Sequence, residues 1–138
     1  MTIYLAGGMS GLSFKDSNGW RAVVTMALES HGCNTGRLII INPNDYYNFQ
    51  EKTYETEREV REFDLYKLRH SDLVIVNFND PKSIGTAQEL AVAVEHRIPV
   101  VGLNRDGVDL HPWLQECVNR MFVSMDDLIQ YVNDFYLS

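Results

Sequence analysis

Four short apolar runs constrain this chain more than any other feature: Thr2 to Ala6 (TIYLA), Leu38 to Ile41 (LIII), Leu73 to Phe78 (LVIVNF) and Pro99 to Leu103 (PVVGL). None alternates polar with apolar residues. A strand with one wet face alternates, whereas a continuous apolar run is covered on both faces. Between the runs lie stretches with helical spacing. Trp20, Val23, Val24, Ala27 and Leu28 share one face of a helix expected from Trp20 to Ser30, stopped by Gly32. Further helices are expected over Thr56 to His70, Thr86 to His96 and Ser124 to Tyr136, the last with Ser124 and Asp127 at capping-box spacing. Trp113 to Asn119 reads as a short helix and Met121 to Val123 as a short fifth strand. Strands alternating with helices make a parallel sheet with helices on both faces. Right-handed crossovers then favour one α/β domain over residues 1–138. The expected fold is a Rossmann- or flavodoxin-like doubly wound sheet of about five strands in the order 2-1-3-4-5.

Composition narrows the partners. At 138 residues the chain is long enough to bury a core without disulfide or metal. A net charge of −7 argues against a nucleic-acid polymer, which selects a basic face. It leaves room for a small phosphorylated ligand, because backbone N–H groups at a helix start hold a phosphate without many cations. Cys33 and Cys117 are far apart and read as free thiols of a reducing compartment. No stretch approaches the ~20 apolar residues of a membrane span, and the N-terminus lacks the charged flank of a signal peptide. A cytoplasmic protein is the expectation. His31, His70, His96 and His111 have no metal-ligand spacing, and there is no G-x-S-x-G elbow. Neither a metal, nor a cofactor, nor a serine triad is expected.

In doubly wound sheets ligands bind outside the carboxyl ends of the strands. Here that edge holds Gly7, Gly8, Met9 and Ser10, then Asn42-Pro43, then Asn77 to Thr86, and the loop after Leu103. Glu89 lies just beyond the third of these, in Ser83-Ile84-Gly85-Thr86-Ala87-Gln88-Glu89. Thr86-x-x-Glu89 fits a capping box, with Glu89 accepting from the Thr86 N–H. Equally, a carboxylate in the crevice suits attack on an anomeric carbon. Asp64 shares a helix stripe with Val60 and Leu68. It is either paired with Arg61, or set at the stripe's margin, or partly desolvated, which would raise its pKa and suit an acid. Tyr4 sits near the end of the first strand, and a buried hydroxyl there needs a partner, for which a crevice carboxylate would serve. Ser83 and Gly85 either cap the helix or, with its N-terminus, seat a phosphate. The glycines at 7, 8 and 11 match neither a dinucleotide fingerprint nor a P-loop.

Three stretches resemble the nucleoside 2-deoxyribosyltransferase superfamily: Ile3-Tyr4-Leu5-Ala6-Gly7; Asp64-Leu65 followed by Ser71-Asp72-Leu73-Val74-Ile75-Val76; and Gly85-Thr86-Ala87-Gln88-Glu89-Leu90 with Ala93 and Pro99-Val100. The resemblance implies Glu89 as nucleophile on C1′ of a sugar, Tyr4 orienting it, and Asp64 assisting proton transfer or contacting the sugar. This is the retaining two-carboxylate logic applied to an N-glycoside. Classical transferases carry an aspartate six residues before the glutamate. Ser83 stands there instead, as in the 2′-deoxynucleoside 5′-monophosphate N-hydrolase branch, which uses its serine for the 5′-phosphate. Gly8 and Ser10 depart from that branch, which has a serine and an arginine at those places. The resemblance also implies a homodimer or larger homo-oligomer, with Asn119 to Met125 reaching a neighbour's site.

Two other classes compete. One is a Rossmann-like sensor that binds a nucleotide without turning it over. The other is a phosphoribohydrolase, whose PGGxGTxxE pattern needs glycines that Pro81-Lys82-Ser83-Ile84-Gly85 lacks.

Overall fold

A computed structural model describes residues 1–138. Five parallel strands form one sheet in the order β2-β1-β3-β4-β5, as the apolar runs imply. They are β1 (Thr2–Gly7), β2 (Ile39–Ile41), β3 (Leu73–Asn77), β4 (Val100–Leu103) and β5 (Arg120–Phe122). The helices are α1 (Phe14–His31), α2 (Glu57–Arg69), α3 (Ile84–Glu95), α4 (Pro112–Glu116) and α5 (Met125–Tyr131). The register sets Tyr4 beside Ile41 on one flank and Val74 on the other, and Gly7 beside Asn77.

Successive strand residues face opposite sides, so two cores form. Ile3, Leu5, Leu73, Ile75, Val101 and Leu103 pack against Val24 and Leu28 of α1 and Leu128 of α5. Tyr4, Ala6, Val74, Val76 and Val100 pack against Leu68 of α2 and Leu90 and Ala93 of α3. A fully buried side chain of this size contributes about 1.5–3 kcal/mol, whereas helix propensities differ by only tenths. Packing on the sheet therefore decides which helix faces turn inward.

Three details differ from the sequence expectation. Helix α1 starts at Phe14 rather than Trp20, because Ser13 Oγ accepts from the Asp16 N–H at 3.1 Å and Asp16 favours the positive end of the helix. Its buried stripe is Ser17, Trp20, Arg21, Val24 and Leu28, which leaves Val23 exposed. Gly32 does end it, at φ 73°, donating its N–H to Leu28 O at 2.9 Å. At the other end of the chain, α5 passes into a π-helix over Val132–Leu137, where the sequence suggests one uninterrupted α-helix. No helix is long and apolar enough to cross a membrane.

The third difference concerns α3. Its N-cap is Ser83, whose Oγ accepts from the Thr86 N–H at 3.2 Å. Thr86 is thereby inside the first turn, and the Thr86–Glu89 capping box does not form. Glu89 falls in the second turn, free of any capping duty.

Candidate active site

A cavity of about 1030 Å³ opens at the carboxyl edge of the sheet, between the β1–α1 loop, α2 and the start of α3. Glu89, Asp64, Ser83, Gly85, Gly7, Met9 and Ser10 all line it. The alternation of α3 explains Glu89: Thr86, Leu90 and Ala93 are the buried face, so Glu89 lies at that face's margin, half-buried and lining the cavity.

Tyr4 lies beneath this floor rather than in the wall. Its side chain is fully buried, and its hydroxyl has no hydrogen-bond partner of ordinary geometry. It is nonetheless close enough to Glu89 for each to perturb the other. Burial above all, then the charges of Glu89 and Asp64, hold the Tyr4 phenol well above its usual pKa. Burial likewise lifts the Glu89 carboxyl to about 7, against the opposing pull of the Tyr4 hydroxyl and of Arg21, with Asp64 pushing in the same direction as burial.

Asp64 is not paired with Arg61. Arg61 turns outward to Gln88 Oε1 (2.7 Å) and Glu62 (3.6 Å). Asp64 Oδ1 instead accepts from the Tyr47 hydroxyl at 2.8 Å and lies 3.4 Å from Lys67 Nζ. Burial raises the Asp64 pKa, while the Tyr47 hydrogen bond and the Lys67 charge lower it in part.

Two positions expected at the ligand edge serve the fold instead. Asn42 does not line the cavity: its Nδ2 donates to Asn18 Oδ1 at 2.8 Å and its Oδ1 accepts from the Asn44 N–H at 3.0 Å. That closes the 3-10 turn over Pro43–Asp45. Gly8 is also outside the cavity wall. Its N–H donates to Asn79 Oδ1 at 2.9 Å, and a Cβ on it would come within 2.8 Å of Asp80 Cβ, so the glycine lets the β1 and β3 loops clasp. Gly85 is the opposite case. A Cβ there would meet nothing within 4 Å, which leaves the α3 N-terminus open to a ligand.

Around Ser83 the donors are arranged for an anion. Its Oγ accepts from both the N–H and the hydroxyl of Thr86 (3.2 and 3.0 Å), so its own proton is uncommitted. The first N–H groups of α3 have no intrahelical acceptor. Lys52, Arg58, Arg61 and Lys82 line the same cavity, as do the acids Glu57 and Asp80.

Sequence reasoning missed Arg21, Tyr47 and Asn44. The Arg21 guanidinium is buried and bonds only neutral oxygens: Leu5 O (3.3 Å), Gly7 O (3.1 Å) and both oxygens of Ser17. Its charge reaches Glu89, Tyr4 and Asp64 through space, although desolvation lowers its own pKa to about 10. One signal was available. Arg21 lies three residues before Val24 and seven before Leu28, on the core stripe of α1.

Known proteins bear on this arrangement at two levels. The fold superposes on a conserved protein of Enterococcus faecalis V583 with a TM-score of 0.79 at 18% identity, covering 97% of this chain and 98% of that one. The 2-deoxyribosyltransferase of Bacillus psychrosaccharolyticus gives 0.75 at 17% identity, covering 95% and 92%. The CMP N-glycosidase BcmB of Clostridium botulinum gives 0.67 at 15% identity, covering 99% and 100%. At such identities the likeness speaks for the fold alone. No curated protein matches the sequence. The family model for nucleoside 2-deoxyribosyltransferase does match, over residues 3–129, a stretch that runs from β1 into α5 and includes every wall of the cavity. On that match the chain belongs to the nucleoside 2-deoxyribosyltransferase family.

Proposed function

We propose that this protein cleaves or exchanges the N-glycosidic bond of a nucleoside or nucleoside 5′-monophosphate, with Glu89 as nucleophile. The observation that carries the reading is Glu89 itself: a carboxylate freed from helix capping, lining a large cavity at the sheet's carboxyl edge, with Tyr4 beneath it and Asp64 across from it.

In the first step a Glu89 carboxylate oxygen bonds to C1′ while the C1′–N bond breaks. The electron pair leaves on the base nitrogen, which takes up a proton. In the second step the oxygen of water, or the nitrogen of a second base, displaces the carboxylate from C1′. With water, one proton remains on the new hydroxyl and the other replaces the one taken by the base. Tyr4 orients the carboxylate, and Asp64 contacts the sugar or assists the proton. Ser83, Gly85 and the α3 N-terminus favour a 5′-phosphate. The belonging of the chain to a transferase family and the CMP N-glycosidase among its structural neighbours are consistent with this substrate class. The protein acts in the cytoplasm as a homodimer or larger homo-oligomer on this reading, without metal or cofactor.

The nucleophile must be ionised, and Glu89 titrates at about 7. The rate constant kcat/KM should therefore rise with pH through about 7 and level off above it. Chromatography of free base released from a panel of deoxy- and ribonucleosides and their 5′-monophosphates tests the whole reading. Wild type should release base from at least one, and Glu89→Ala should lose of the order of a thousandfold. Equal rates for the two proteins, or no release by either, would overturn it and favour a sensor.

A further inference from the structure

Lys67 is the one cation of α2 that the fold encloses. Its side chain is 8% exposed, against 53% for Arg61 and 84% for Arg58 on the same helix. Burying an ammonium is costly unless partners replace its water. Three rings and two oxygens do so here. Lys67 Nζ stands 3.5 Å from the ring centre of Tyr46, 4.1 Å from that of Phe63 and 4.9 Å from that of Tyr47. It is also 3.4 Å from the Tyr47 hydroxyl and 3.4 Å from Asp64 Oδ1. Tyr46 and Tyr47 follow the turn after β2, so this single ammonium fastens that loop to α2 along one wall of the cavity.

The geometry at Asp64 is asymmetric. Both the Tyr47 hydroxyl and the Lys67 ammonium engage Oδ1. No hydrogen bond within the protein reaches Oδ2, and Asp64 lines the cavity. A carboxylate anchored through one oxygen and open at the other is an acceptor for a hydroxyl. The cation and the phenol both favour its ionised form, against the burial that raises its pKa.

We propose that Lys67 is a positioning residue that keeps Asp64 ionised and aims its free oxygen at a hydroxyl of the substrate's sugar. The sugar rests on the function proposed above; the anchoring of Asp64 does not. Five groups act on Asp64 from the elements around it. Lys67 on its own helix, Tyr47 from the β2–α2 loop and Arg21 from α1 favour the carboxylate. Glu89 on α3 and Tyr4 beneath it on β1 belong to the same charge cluster, and an ionised Glu89 opposes a second negative charge beside it.

The test has two parts. In the first, the Asp64 carboxyl carbon is followed by NMR across pH in wild type, Lys67→Met and Lys67→Arg, with Asp64→Asn assigning the signal. Methionine fits an aromatic box of this size without a charge. Asp64 should titrate at higher pH in K67M than in wild type, and K67R should restore it towards wild type. Lys67→Gln makes the same comparison should K67M not fold. An unchanged titration in the folded neutral variant would overturn the proposal and leave Lys67 a packing residue. This part needs no turnover, so its failure is separate from failure of the proposed activity. In the second part, kcat/KM for the best substrate should fall about tenfold in K67M, the loss expected of one charge-assisted hydrogen bond. Wild type should discriminate against a substrate lacking the sugar 3′-hydroxyl or 2′-hydroxyl, and K67M should discriminate less. Equal discrimination in both would also overturn it.

Discussion

At the scale of the residue, burial governs Glu89. Its carboxyl titrates at about 7 instead of 4.5 because the loss of water outweighs the pull of the nearby Tyr4 hydroxyl and of the Arg21 charge. A carboxyl whose folded pKa stands above its unfolded one makes the fold less stable once it must ionise. Between pH 4.5 and 7 the folded chain holds more protons than the unfolded chain. The contribution is therefore lost as pH rises through that window, and the cost is complete above about 7. Glu89→Gln removes the titration while keeping size and hydrogen bonding. E89Q should be more stable than wild type at pH 8 by about 3 kcal/mol, taking ~1.36 kcal/mol for each pH unit. The gain should shrink towards zero as pH falls to 4.5. Urea melts at several pH values read this directly, and a pH-independent difference would contradict the burial account. Asp64 shows what one residue's sequence context leaves undecided. Arg61 and Lys67 are both three residues from it, at i−3 and i+3, and local spacing ranks them equally. The aromatic rings of Tyr46 and Phe63 give the ammonium a dry seat on one side only, and that selects Lys67.

At the scale of the element, the central strands β1, β3 and β4 were readable because parallel strands buried on both faces need unbroken apolar runs, whereas the edge strands β2 and β5 are partly exposed and left a weaker signal. Helix starts were less readable. Phe14 to Gly19 (FKDSNG) carries polar residues and a glycine, so it resembles loop, yet Ser13 and Asp16 cap it into α1. In α3, Ser83 and Thr86 are both good caps and lie three residues apart; only the packing of Leu90 and Ala93 on the sheet chooses between them. The choice has a measurable consequence. Ser83→Ala removes the acceptor for the Thr86 N–H and hydroxyl and should cost about 1 kcal/mol. The urea midpoint should fall with an unchanged slope. Were Thr86 the true cap, with Glu89 as its box partner, S83A would be nearly silent, and E89Q would keep the box because glutamine serves at that position too.

At the scale of the whole molecule, sheet order, the cavity at the carboxyl edge and the clustering of Glu89, Asp64, Ser83 and Gly85 around it were legible in the sequence. They depend on chain connectivity and strand direction. The contributions of Arg21, Tyr47 and Lys67 were not, since each is fixed by contacts between elements distant in sequence. The same distinction bears on the ligand. The molecule carries a net charge of −7, so its overall field repels a nucleotide. On the proposed function, binding of a monophosphate would rest on local donors, for which Ser83, Lys82 and the α3 N-terminus are the first candidates. E89Q, which should bind without turnover, isolates this step. At about 100 times its Kd a nucleoside 5′-monophosphate should stabilise E89Q by about 2.7 kcal/mol, a Tm rise of several degrees for a domain of this size. The matching nucleoside at the same concentration should protect less. Adding Ser83→Ala to E89Q should narrow the difference between the two ligands, each shift being taken from that variant's own ligand-free Tm. Equal protection by nucleoside and monophosphate in E89Q would remove the phosphate from the proposed substrate and leave the glycosidic chemistry of Glu89 standing. Greater protection by the monophosphate that survives S83A would move the phosphate seat from α3 to the cations Arg58 and Arg61 on the opposite wall.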